Sequence, residues 1–90
     1  LNLRLSVEQI AYIINHAEDN VIFFDATVAP LLEKAAVNAK TVKQYVVINA
    51  APDFKSTLPN VIHYEDLLAS GQEDFEWVEV DENDACGLCY

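Results

Sequence analysis

Two short, unbroken apolar runs, Val21-Ile22-Phe23-Phe24 and Tyr45-Val46-Val47-Ile48, constrain the fold of this 90-residue chain more than any other feature. Each is too short for a helix and rich in residues that favour strands. Neither alternates with polar residues, so each suits a strand covered on both faces, as in a parallel sheet. The first run ends on Asp25, the second is entered through Gln44, and 18 residues lie between those two positions. Within that interval Pro30 fits a first helical turn, and Leu31, Leu32, Ala35, Ala36 and Ala39 share one face, which predicts a helix from about 28 to 39. Strand, helix, strand in that order predicts a right-handed crossover joining parallel neighbours, hence an α/β fold.

The flanking segments extend this core. Ser6-Val7-Glu8-Gln9 has the form of a capping box, with Val7, Ile10, Ile13, Ile14 and Ala17 behind it at the spacing of one buried helical stripe. Asn20 is the expected left-handed stop of this helix. Beyond Ile48, Pro52 and Pro59 bracket a loop, Val61-Ile62 suits a short strand, and Tyr64 to Ser70 a short helix stopped by Gly71. Residues 1–71 are thus expected to form an α/β core piece, 72–84 an acidic connector, and 85–90 the start of a strand that breaks off at Tyr90. The chain does not begin with Met and Leu1-Asn2-Leu3 reads as mid-sequence text, so an excised internal piece is the expectation.

Composition narrows the class. Hydrophobic residues make up 52% of the chain against 22% charged, enough apolar material for a core and against disorder. Ninety residues allow one small domain, burying only about 60 to 65% of its unfolded surface. The net charge of −10 is uneven: residues 1–55 hold all five bases against six acids, whereas residues 56–90 hold nine acids and no base. Such a surface repels phosphate backbones and anionic lipid, which disfavours nucleic acid and membrane surfaces as partners. No apolar run approaches the roughly 18 to 20 residues of a membrane span, and the N-terminus lacks the order of a signal peptide, so a cytoplasmic location is expected.

Few residues invite chemistry. Cys86-Gly87-Leu88-Cys89 has the spacing of a redox pair or half a metal site, but no helix follows it to lower a thiol pKa. In a strand, residues three apart point to opposite faces, so two small buried cysteines are expected. His16 and His63 are the only other soft ligands and lie 47 positions apart, far from zinc-finger spacing, so no metal site is expected. His16 falls in the last turn of the first helix, where the dipole favours it. His63-Tyr64-Glu65-Asp66 places a base beside carboxylates with no nucleophile in context. Phe75, Trp77, Val78 and Val80 among acids suit either an interaction peptide or, the preferred expectation, a connector whose aromatics pin it to the core. With Gly71 and Gly87 as the sole glycines, no glycine-rich loop can cradle a nucleotide's phosphates.

Taken in order, Asn2-Leu3-Arg4-Leu5, Glu8-Gln9-Ile10-Ala11-Tyr12-Ile13-Ile14-Asn15-His16 and Val21-Ile22-Phe23-Phe24-Asp25 resemble the N-terminal domain of the fatty-acid-CoA ligases, the medium- and long-chain acyl-CoA synthetases of the adenylate-forming, AMP-binding family. Tyr64-Glu65-Asp66-Leu67-Leu68 and Asp81-Glu82-Asn83-Asp84-Ala85, leading into Leu88-Cys89-Tyr90, resemble the approach to that family's Thr/Ser/Gly-rich phosphate-binding loop. Tyr90 would be the position immediately before that loop. The resemblance implies a three-layer N-terminal subdomain in a parent enzyme that uses ATP and magnesium to make an acyl-adenylate and passes the acyl group to coenzyme A. It implies equally that the phosphate loop, the adenine and acyl pockets and the catalytic lysine lie downstream of Tyr90. No catalytic, cofactor-binding or metal residue is therefore carried over.

The expectation is a scaffold piece of such a ligase, inert alone, with the rest of the parent polypeptide as its partner and with strand edges that could also pair with further copies. Two alternatives remain: a piece of a complete, active ligase, or a small acidic α/β interaction domain without enzymatic activity. A true domain should unfold cooperatively, whereas an excised piece should be loose or oligomeric.

Overall fold

A computed structural model describes all residues, 1–90. Helix α1, Val7–His16, opens on the expected capping box: the Gln9 amide donates to the Ser6 hydroxyl at 3.3 Å, and the Ser6 amide donates to the Gln9 side-chain oxygen at 3.0 Å. It buries Ile10, Ala11, Ile13 and Ile14. The left-handed residue after α1 is Glu18, with φ 56°, and not Asn20. Asn20 instead donates its side-chain amide to the Glu18 carbonyl at 2.7 Å, holding that turn from outside it.

Strands β1, Val21–Asp25, β2, Gln44–Ile48, and β3, Val61–His63, form one parallel sheet in the order β1-β2-β3. Asp25 pairs with Ile48 across β1 and β2, and Val47 with His63 across β2 and β3. Both apolar runs are therefore parallel strands, and the central one is buried on both faces at Tyr45, Val46 and Val47.

The crossover helix is shorter than expected. A 3₁₀ turn, Ala26–Val28, capped by the Asp25 carboxylate, precedes α2, Ala29–Ala36, in which Pro30 sits in the first turn. The helix stops early because α1 captures the next segment. Asn15 donates its side-chain amide to the Asn38 carbonyl at 2.7 Å and accepts the Lys40 amide at 2.8 Å. Helices α1 and α2 lie on one face of the sheet, where Ile14, Ala35, Phe24, Tyr45 and Val47 meet in the core.

The 49–60 loop folds back onto that layer. Leu58 is buried, Phe54 sits 6.4 Å from Phe24 ring to ring, and Glu33 of α2 accepts from the Ser56 hydroxyl at 2.6 Å and the Thr57 amide at 2.9 Å. Asn49 and Asn60 hinge the loop's two ends with φ of 56° and 53°, which asparagine tolerates better than most residues. The other face of the sheet carries only α3, Tyr64–Ala69, directly after β3. There Phe23 meets Tyr64 edge-on and remains half exposed. Residues 70–90 contain no helix or strand.

Candidate functional site at the carboxyl ends of the strands

In an open parallel sheet, ligands meet the chain beyond the carboxyl ends of the strands. Here that edge is formed by Asp25, Asn49 and His63. Asp25 is the one carboxylate among them and its acceptors are taken. One oxygen accepts from the Thr27 amide at 2.9 Å and the Thr27 hydroxyl at 2.7 Å; the other accepts from the Asn49 side-chain amide at 2.9 Å. The Thr27 amide, then Asn49, then the Thr27 hydroxyl stabilise the ionised form and bring its pKa down to about 2. Asp25 thus clamps the ends of β1 and β2 together and caps the turn into α2. The Asp25-x-Thr27 spacing before a helix is its sequence signal; the Asn49 bond, 24 positions away, has none.

His63 turns its ring edge-on to Phe54 at 6.4 Å, an apolar contact with no nucleophile beside it. His16 meets a different partner. Its Nδ1 shares a hydrogen bond of 2.6 Å with the Tyr90 hydroxyl, and Tyr12 stacks on the same ring at 5.4 Å. Tyr90 therefore lies beside α1, in a groove with Leu5, Ile13 and Ala17, and away from the strand ends.

Cys86 and Cys89 correct the expectation of buried cysteines: both are free and exposed. The cause is the path of the chain, since the strand expected over 85–90 does not form here and no neighbouring strand edge pairs with those residues. The connector aromatics likewise stand in solvent and do not pin residues 72–84 to the core. No group of three or more His, Cys, Asp or Glu side chains gathers anywhere to hold a metal.

The architecture defines the class of segment: a parallel α/β layer whose strand ends are tied off by its own side chains. The chain matches no protein-family model. Over its whole length it is 40% identical to a medium-chain-fatty-acid–CoA ligase of Ectopseudomonas oleovorans and 43% identical to a 3-methylmercaptopropionyl-CoA ligase of Ruegeria lacuscaerulensis, covering 17% of each. A long-chain-fatty-acid–CoA ligase of Thermus thermophilus is 41% identical over 99% of the chain, with 15% of that protein covered. The chain belongs to the fatty-acid-CoA ligase family and spans about a sixth of the length of the curated relatives it matches.

Proposed function

We propose that this chain is a scaffold segment of the N-terminal domain of an ATP-dependent fatty-acid-CoA ligase, whose complete polypeptide converts a fatty acid, ATP and coenzyme A into acyl-CoA, AMP and pyrophosphate. The observation that carries the proposal is collinear similarity, at 40% identity or more, to three differently named CoA ligases. The acid activated is a fatty acid, the substrate class printed in the names of two of them. The segment acts by position: it supplies one parallel α/β layer of the N-terminal domain, and residues 85–90, which run beside α1, lead toward a phosphate loop beyond Tyr90.

The residues present do not fit ATP or magnesium. The glycines are Gly71 and Gly87, neither with positive φ and neither within a glycine-rich loop of the kind that cradles a nucleotide's phosphates. The strand ends offer an ionised Asp25 already bonded to Thr27 and Asn49, and like charge repels a triphosphate. No chemical step is assigned to this segment, and on its own it is inert.

Replacing the matching segment of the Ectopseudomonas oleovorans ligase with this chain tests the proposal. Retained acyl-CoA synthesis from a medium-chain fatty acid is the expected result. A chimera that is soluble and folded yet inactive would sink the scaffold reading, and ATP-dependent acyl-CoA formation by the 90-residue chain alone would overturn its inertness.

A further inference from the structure

Residues 72–84 hold a run of exposed large apolar side chains that includes the most exposed one in the molecule, Trp77. Phe75 is 69% exposed, Trp77 85%, and Val78 and Val80 79% each, on a backbone with no regular structure. Phe75 and Trp77 already meet edge-to-face, ring centroids 5.0 Å apart at 83°, so the two form one aromatic knob before any partner arrives. Seven acids and no base surround them: Glu73, Asp74, Glu76, Glu79, Asp81, Glu82 and Asp84. The Asp81 carboxylate accepts from the Asn83 amide and side chain, both at 2.8 Å, whereas Glu76 and Glu79, which alternate with the apolar residues, make no such bond.

Two apolar grooves of the chain itself suit this strip poorly. The apolar groove beside α1, where Leu5 and Ile13 lie, is rimmed by Asp19; the groove along β1, where Leu31 and Leu32 lie, is rimmed by Asp19 and Asp25. Carboxylates at both rims repel a strip of carboxylates, in the same chain or in a second copy. Charge complementarity selects the opposite sign.

We propose that residues 72–84 are a docking strip that lies extended in a protein groove lined by lysine or arginine and apolar residues, belonging to the ligase polypeptide outside these 90 residues. The Phe75–Trp77 knob supplies the buried anchor, and Glu76 and Glu79 pair with the basic rim. The inference rests on the ligase assignment for the identity of the partner, and its test is independent of acyl-CoA synthesis.

Trp77 is the sole tryptophan, so its fluorescence reports burial of the strip without any label. The 90-residue chain is titrated with a peptide of alternating lysine and leucine, and in parallel with glutamate–leucine and lysine–serine peptides of equal length. The lysine–leucine peptide is expected to move Trp77 emission saturably to shorter wavelength, with affinity falling several-fold as salt is raised. The Glu76→Gln/Glu79→Gln double variant should lose most of that salt dependence, and Phe75→Ser should weaken binding at all salt concentrations. An equal shift with glutamate–leucine would overturn the charge requirement. An equal shift with lysine–serine would overturn the aromatic anchor. No shift with any peptide would overturn the proposal whole, and would leave the ligase chimera experiment unaffected.

Discussion

Asp25 shows how one side chain can join three local events. It ends β1, caps the 3₁₀ turn that starts the crossover, and through Asn49 holds the end of β2. Its depressed pKa makes this a pH-dependent device whose sign is fixed. A carboxylate with a folded pKa of about 2 and an unfolded pKa of about 3.9 stabilises the fold fully above pH 4 or so, and that contribution is lost as pH falls toward 2. Asp25→Ala should therefore lower the unfolding midpoint near neutral pH, and the gap from the parent chain should close on acidification through that window. Glu33 is also depressed, first by the Ser56 hydroxyl and then by the Thr57 amide, and remains in the variant, so a residual acid transition is expected. Midpoints measured by circular dichroism from pH 7 to 2 would check this; a gap independent of pH would show that the Asp25 bonds do not favour its ionised form.

Among the elements, α1 is fixed by its cap at one end and by tertiary bonds at the other. Ser6→Ala removes the acceptor for the Gln9 amide and should cost about 1 kcal/mol, while Ser6→Gly should cost only a few tenths. Ile14 is fully buried between α1 and the sheet, and Ile14→Ala should cost about 2 to 5 kcal/mol, enough to unfold a marginal chain of this size. Urea titration monitored at helix wavelengths separates the two, since a partial loss is expected for Ser6→Ala and a collapse of the signal for Ile14→Ala. The cap and the apolar stripe were legible in the sequence because both are local patterns. So were β1 and β2, because an unbroken run of apolar β-formers is too short for a helix and too apolar for a loop. The early end of α2 was not legible, because it depends on Asn15 reaching Asn38 and Lys40 across more than 20 positions. The strand-end clamp was half legible: Asp25-x-Thr27 is visible in the text, and Asn49 is not. The placement of Cys86, Cys89 and Tyr90 escaped sequence reasoning altogether, since a strand-like run becomes a strand only by pairing with another strand, and such pairing leaves no local pattern in the sequence.

At the scale of the whole molecule, the sheet is finished on one side and open on the other. Helices α1 and α2 cover the face of Phe24, Tyr45 and Val47, whereas Val21 and Phe23 on the opposite face of β1 stand 49% and 52% exposed, and β1 lies at the sheet's edge. Only 12 of 90 residues are buried, and the radius of gyration is 14.9 Å against about 12 Å for a compact domain of this length. Parallel sheets are stable when both faces are covered, so this layer is built to receive more protein, whereas an independent acidic domain would have closed that face itself. A substitution at Phe23 separates the two. In the isolated chain Phe23→Glu loses an edge contact with Tyr64 and the half of its apolar surface already buried, and should cost about 1 to 3 kcal/mol, less than the same change in an assembled protein that covers this face. In a ligase chimera carrying the same change, the covering layer would bury an unpaired carboxylate at a cost of several kcal/mol, and soluble, active enzyme should be lost. Phe23→Leu, which keeps the surface apolar, should rescue the chimera. Equal tolerance of glutamate in chain and chimera would mean that the face stays in water in the assembled protein, and the independent-domain alternative would then account better for the open sheet.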